Sequence, residues 1–280
     1  MADQRDRNLG LQALAIAPAI ADRTVAFAGT GGAGGNLVLP FVRQNKVRRI
    51  KLIDFDVYDF PNLNSQVGAF HSTLGQSKVK VISDMLRDID PDIDYVVLDE
   101  RLTLENIDAF LDGVDVLMDC VDFQSPEIHL ALNRRARERG IPVIFGAEVS
   151  GGARVIWFSP NGMTFEKYFG LKPGTDRLNL GKMIMRVPPY GDVRALKAIR
   201  QGRISAPSMA TGGVALGALG VPLLEAVLSG VDVPAPAPIG HWLDGREPGG
   251  GRIRFHRLVW WRSLILAAYR TYAGLNPRSL

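Results

Sequence analysis

VAFAGTGGAGGNLVLPF, residues 25–41, passes from a short apolar run into glycines at 29, 31, 32, 34 and 35, then into apolar residues at helical spacing. The glycines satisfy G-x-G-x-x-G, and the order implied is strand, tight turn, helix. Backbone N–H groups of such a turn gather at the helix N-terminus, where the helix dipole favours phosphate. A turn that serves only close strand–helix packing is the plainer alternative; strand, turn and helix in sequence favour a bound nucleotide.

Working outward, residues 24–29 form a strand, 34–45 a helix and 48–56 (RRIKLIDFD) a second strand. That is about 30 residues, the size of one βαβ unit. The alternation continues with a helix at 76–89, a strand at 94–98, a helix at 104–112, a strand at 114–119 and a helix at 125–139. Strands at 142–149 (PVIFGAEV) and 153–160 (ARVIWFSP) follow. This predicts an α/β fold, a doubly wound Rossmann-like and mostly parallel sheet with a C-terminal helical and irregular extension. After residue 160 the pattern blurs into a Gly- and Pro-bearing excursion to 207. A small-residue-rich helix at 208–230 is expected to be buried and to be kinked or divided by Pro222. An extended linker at 233–240 and an amphipathic helix at 257–275 complete the chain. The expected division is a nucleotide-binding core over 1–160, with the excursion and C-terminal helices of 161–280 packed on the same domain. In the excursion, TFEKYFG is expected to bury Phe165, Tyr168 and Phe169 in a folded hinge.

The composition narrows the function classes. With 280 residues, 46% of them hydrophobic, the chain can bury a substantial core. One cysteine, Cys120, excludes an intrachain disulfide framework and any CxxC zinc site. His71, His129, His241 and His256 lack metal-ligand spacing. The opening MADQRDRNLGLQ is polar, unlike a leader, and the apolar runs are expected to fall short of the ~20 residues that span a bilayer. A cytoplasmic protein without membrane or nucleic-acid partners is expected, because the net charge of +4 comes without a block of five or six basic residues. KVRRIKL at 46–52 reads as a solvated strand approach.

Asp54 stands about twenty positions beyond the glycines, where an acid binds ribose hydroxyls. To this point an NAD-dependent dehydrogenase fits equally well. Downstream residues separate the two. The second strand ends in two acids, Asp54 and Asp56, followed by the polar VYDFPNLNSQ at 57–66. Lys78 follows a glycine turn in LGQSKV, placed either to meet phosphate oxygens or to sit as a solvated first-turn lysine. DVLMDCVDF at 115–123 brings Asp119 and Asp122 to the carboxyl end of a strand, which faces the ligand crevice in such sheets. A carboxylate there suits Mg²⁺ on a triphosphate, although Asp122 also suits a helix N-cap. Glycine turn, ribose acid, lysine and metal acid together describe a nucleoside triphosphate site.

These residues resemble the ThiF/MoeB/HesA superfamily, adenylating proteins related to ubiquitin-activating enzymes. The resemblance runs over about residues 5–160 through RN at 7–8, GTGGAG at 29–34, DFDVYDFPNLNSQ at 54–66, GQSK at 75–78, DIDP at 88–91 and DCVD at 119–122. It implies a nucleotide at the sheet edge, usually in a homodimer, and activation of a carboxylate by attack on the α-phosphate of Mg-ATP. That carboxylate is the C-terminus of a ubiquitin-like sulfur carrier or a peptide, or a small molecule. By the same resemblance, Gly29, Gly31, Gly32 and Gly34 line the nucleotide and Asp54 holds ribose. Lys78 and Asn62 contact phosphates, Asp122 holds Mg²⁺, and Arg7, with Arg5 as fallback, reaches a partner subunit's site. Asp56, Ser65 and Gln66 complete the nucleotide-binding set.

The sequence departs from the family in three places. Ser65 stands where Asn-x-x-Arg-Gln has arginine, and Arg7, Lys80 or an arginine of 186–203 is the candidate replacement. The zinc site of many relatives is missing. Cys120 at a strand end is expected to be buried rather than nucleophilic, so chemistry should stop at the adenylate or pass to an external nucleophile. Two other readings stay open: a catalytically weak nucleotide-binding partner subunit, and an NAD(P)-dependent oxidoreductase.

Overall fold

A computed structural model describes residues 13–122, 125–149, 151–169, 208–244 and 252–254. After α1 (Ala13–Ile20), the chain alternates β1 (Thr24–Ala28), α2 (Gly32–Gln44), β2 (Arg49–Ile53), α3 (Lys78–Ile89), β3 (Asp94–Leu98), α4 (Ile107–Leu111), β4 (Val116–Asp119), α5 (Pro126–Glu138) and β5 (Val143–Val149). It continues with β6 (Gly152–Phe158), α6 (Phe165–Phe169), α7 (Ala210–Ser229), β7 (Ile239–Asp244) and β8 (Arg252–Arg254). The sheet has eight strands in the order β3-β2-β1-β4-β5-β6-β7-β8. The first five are parallel and β6 to β8 antiparallel, as the alternation and the short β5–β6 link require.

β1 is TVAFA with every residue buried, the uninterrupted apolar pattern of a parallel strand covered on both faces. On one face Phe27, Leu37, Phe41, Ile82, Leu86, Leu216 and Leu224 join α2, α3 and α7 to the sheet. On the other, Ile107, Phe110, Leu130, Phe145 and Phe165 do the same for α4, α5 and α6. Phe165, Tyr168 and Phe169 of α6 are all buried, as the sequence predicted. Each ring contributes about 1.5–3 kcal/mol of burial, so packing accounts for this segment. Local signals set the helix ends: the Ser77 side chain accepts from the Lys80 N–H at the start of α3, Pro126 opens α5, and Gly230 closes α7 in the left-handed region.

The structure differs from the sequence reading at several points. Pro222 does not divide α7, which runs over Ala210–Ser229 as one helix. At 20 residues α7 is also long and apolar enough to cross a bilayer, against the expectation that no run reaches that length. Here it lies on β5, β6 and α2 with ten of its residues buried, the position of a core helix. Ile239 and Gly240, read as the end of a linker, begin β7 and pair with β6 and β8. Lys51, read as solvated, is buried; its Nζ donates to the Ala109 and Asp112 carbonyls, and burial lowers its pKa. Residues 170–207 and the tail at 257–275 lie outside the described residues.

Candidate active site at the glycine turn

Strand order reverses between β1 and β4, so helices leave this point toward opposite faces and a crevice opens beyond the carboxyl ends. Ala28 is level with Ile53 of β2 and with Asp119 of β4. Gly29, Asp54 and Cys120 therefore leave the sheet side by side. Gly29 has φ +98°, open to glycine at little cost, and a Cβ there would stand 2.5 Å from the Cys120 carbonyl oxygen. A Cβ at Gly34 would run into the Gly29 carbonyl. The turn is thus locked against β4 and against its own helix.

Asp54 is joined to this turn directly. Its Oδ2 accepts from the Thr30 N–H at 2.7 Å and the Thr30 hydroxyl at 3.0 Å, and its Oδ1 accepts from the Asp56 N–H at 3.0 Å. The carboxylate expected at ribose also ties the β1 and β2 loops together. Burial, and secondarily the Asp54 charge, holds the Tyr58 hydroxyl proton far above its usual range. Lys78 is not a solvated first-turn lysine: it is buried, and its Nζ donates to Asp56 Oδ2 at 2.7 Å. Asp56 is itself 53% exposed, so the pair opens onto solvent.

The polar segment after β2 folds as a 3₁₀ turn, Phe60–Asn64, closed by an Asp59–Asn62 capping box in which Asn62 Oδ1 accepts from the Asp59 N–H. Ser65 follows it and is buried, and its carbonyl accepts from Asn36 Nδ2 of α2 at 3.4 Å. Lys80, a candidate replacement for the missing arginine, is paired with Asp99 at 2.6 Å, and that contact together with the Ser77 hydroxyl holds the Asp99 carboxyl below its usual range. Arg7, Arg5 and the arginines of 186–203 lie outside the described residues.

Asp119 corrects the sequence reading. It does not face the crevice: it is fully buried, and its Oδ2 meets His129 Nδ1 at 2.9 Å and accepts from Asn133 Nδ2 at 2.7 Å. Burial opposes a charge on His129, but the Asp119 carboxylate outweighs it and the imidazole pKa is raised. His129 also lies parallel to Phe165 with centroids 6.0 Å apart, so it belongs to the core. Asp122, three residues on, is exposed, and its carbonyl accepts from the Ser125 N–H in a turn before α5. Cys120 is half-buried rather than fully buried, yet loss of hydration, then Asp119 and Glu148, push the thiol pKa up and suppress the thiolate a nucleophile needs.

Glu148, near the end of β5, is the residue the sequence reading missed. Its Oε1 lies against Gly32 at the start of α2 and accepts from the Ser208 hydroxyl just before α7. Gln66 approaches Gly31 from the opposite side, its Oε1 3.4 Å from where a Cβ would stand. Gln66 Oε1 and Glu148 Oε2 are buried without a hydrogen-bond partner. Unmet polar atoms on either side of a phosphate-type turn fit a polar ligand seated between them. The bare α-carbon of Gly32 makes room for the Glu148 carboxyl itself, and Gly31 lets the Gln66 amide come close. A divalent cation fits less completely. No group of three His, Cys, Asp or Glu is gathered among the described residues, and a lone carboxylate such as Asp122 suits Mg²⁺ only when phosphate oxygens complete its shell.

The sequence model of the ThiF family matches residues 6–227. The chain is 36% identical over 122 residues to a tRNA threonylcarbamoyladenosine dehydratase of Bacillus subtilis, covering 43% of this chain and 47% of that one. It is 27% identical over 158 residues to a molybdopterin-synthase adenylyltransferase of Haemophilus influenzae, covering 55% and 64%. In both cases it spans less than two thirds of the relative's length. The fold is similar to that of E. coli MccB solved with ATP, with TM-score 0.69 and 16% identity over 91% of this chain and 71% of the other.

Proposed function

Because the chain belongs to the ThiF family, we propose that it is an Mg-ATP-dependent adenylyltransferase that activates a carboxylate and releases pyrophosphate. The observation that carries this reading is that the glycine turn, bonded to Asp54 through Thr30, leaves the sheet beside the β4 end that leads to Asp122, while Lys78 of α3 is tied to Asp56 just beyond β2. In the reaction, a substrate carboxylate oxygen bonds to the α-phosphorus, the bond from that phosphorus to the bridging oxygen breaks, and pyrophosphate leaves with that electron pair. Gly29, Gly31, Gly32 and Gly34 let backbone approach the phosphates, and the Thr30–Asp54 link holds the turn while Asp54 takes the ribose. Lys78 swings from Asp56 to phosphate oxygens, and Asn62, Ser65 and Gln66 close the far wall. Asp122 is the residue that would hold Mg²⁺, which when bound offsets charge on the triphosphate. Preset positions and fixed charge of this kind supply most of the catalysis in phosphoryl-type transfers.

The printed names of relatives support a carboxylate at the end of a carrier or peptide. They include SAMP-activating enzyme E1 of Haloferax volcanii and E. coli MccB solved with MccA. We place the protein in the cytoplasm as a homodimer in which Arg7 reaches the partner's site, and 161–280 with 1–160 in one folding unit, in keeping with α7 packed on β5 and β6. ATP–pyrophosphate exchange with small carrier proteins and C-terminal peptides tests the reading. Exchange should depend on the added carboxylate, and Asp122→Ala should lower it at least ~100-fold while ATP still binds. Absence of exchange with every candidate, or an Asp122→Ala protein as active as wild type, overturns it.

A specific feature favours a second reading, a nucleotide-binding subunit of low intrinsic activity. Ser65 is buried where relatives place arginine, and Lys80 is held by Asp99. An arginine at the phosphates can be worth ~10³–10⁵ in rate. Under this reading Ser65→Arg gains turnover; under the first, it leaves turnover unchanged or lowers it.

A further inference from the structure

Glu148 is the single acid in VIFGAEV, the run that forms β5. Strand geometry carries its side chain past the sheet edge toward α2, where Oε1 rests against Gly32. The Ser208 hydroxyl donates to that oxygen, whereas Oε2 is buried without a partner. The groups facing Glu148 are few. From α2 there is only the glycine backbone; from the end of β4 there is the Cys120 thiol, with Asp119 behind it; from the start of α7 there is Ser208. No cation among the described residues offsets its charge, and burial raises its pKa, with the Ser208 hydrogen bond pulling the other way. A triphosphate on this turn adds several negative charges within contact distance, and an ionised carboxylate there would repel it. A neutral carboxyl removes the repulsion and offers an O–H donor at the point where Oε2 lacks a partner.

Resting on the nucleotide-binding part of the adenylation reading, we infer that Glu148 is a phosphate-binding residue that works as a neutral carboxylic acid, donating a hydrogen bond to a phosphate oxygen of the nucleotide on the glycine turn. The proton stays on Glu148, and no bond is made or broken there. Nucleotide affinity is then linked to one proton and falls as pH rises through the titration of this group. The device also sets a requirement on the ligand, which must present an anionic oxygen beside Gly32.

Titration calorimetry of Mg-ATP into the full chain from about pH 5 to about pH 8 tests this. ATP's own ionisation is common to all variants and cancels in the comparison. The wild-type Kd should rise with pH by up to about tenfold per unit more than that of Glu148→Gln, whose amide N–H keeps a donor at every pH. Glu148→Gln should match the tight, low-pH wild-type affinity, and Glu148→Ala should bind at least about tenfold more weakly there. Ser208→Ala, which removes the bond that favours the ionised form, should move the fall in affinity to higher pH. Equal pH slopes in wild type and Glu148→Gln, a Gln variant as weak as Ala, or a Ser208→Ala shift toward lower pH overturns the inference. Wild type that binds Mg-ATP without this proton linkage refutes Glu148 alone. Proton-linked binding without pyrophosphate exchange refutes adenylation and leaves the role of Glu148 standing.

Discussion

Lys78 and Asp56 show how the exposure of one partner decides what a buried ion pair is for. Deleting one member of a fully buried pair costs about 3–5 kcal/mol, because the other charge is stranded. Asp56 is 53% exposed and keeps its water, so the stability cost of losing Lys78 is small. Lys78→Met should therefore unfold within about 1 kcal/mol of wild type in urea yet bind Mg-ATP at least ~10-fold more weakly. A variant that loses stability and keeps its ATP affinity would make Lys78 a packing residue. At this scale the sequence was informative wherever a residue type had one physical use. Glycines at a strand end and the acid after the second strand are bonded together through Thr30, and the lysine after a turn is tied to the second acid, Asp56. It misled where direction mattered: Asp119 and Asp122 share a strand end, but one turns into the core to His129 and Asn133 and the other outward. Glu148 offered one faint signal, a lone acid in an apolar run, which spacing does not distinguish from a surface-facing strand residue.

Among the elements, α7 shows how small residues are used. Gly213, Gly217 and Gly220 recur on one face and meet Asn36, Pro40 and Leu37 of α2. A Cβ at Gly217 would stand 2.7 Å from the Asn36 carbonyl oxygen, and backbone inside a helix cannot step aside cheaply. Helix propensity favours Gly217→Ala by about 1 kcal/mol, while the clash opposes it by about 1–3 kcal/mol. The clash should win: we expect a lower thermal midpoint and weaker Mg-ATP binding, since α2 carries the glycine turn. A stabilised Gly217→Ala protein would show that the two helices separate freely. Element types up to β6 were legible because period-2 and period-3.6 patterns alternate cleanly there. β7 was not, because proline and alanine at 234–238 mask a strand whose partners are supplied by β6 and β8. Pro222 was over-weighted as a breaker: it sits exposed on the outer side of α7, and the helix continues past it.

For the whole molecule, the switch between β1 and β4 sets where a nucleotide can lie, and the residues around it set which one. Ligands that bind only the folded chain stabilise it by about 2.7 kcal/mol at a hundredfold excess over Kd, or roughly 5–10 °C in melting temperature for a chain of this size. Mg-ATP should produce a shift of that order and NAD none; the reverse order would return the fold to the oxidoreductase reading. The parallel half of the sheet was legible as a whole because each strand predicts the next helix. In the antiparallel half the β6–β7 join depends on distant pairings, such as Ile156 with Gly240, which no local pattern encodes.

The Ser208–Glu148 hydrogen bond joins positions 60 residues apart, one on β5 and the other just before α7. One carboxyl group is thereby shared between the glycine turn and the approach to α7. A molecule that docks near Ser208 and draws its hydroxyl away makes Glu148 a weaker acid, which tightens the hold on ATP. Thermodynamic reciprocity then requires ATP to tighten the hold on that molecule by the same factor. On the role inferred for Glu148, ATP and a ligand drawn to Ser208 would each strengthen the other's binding.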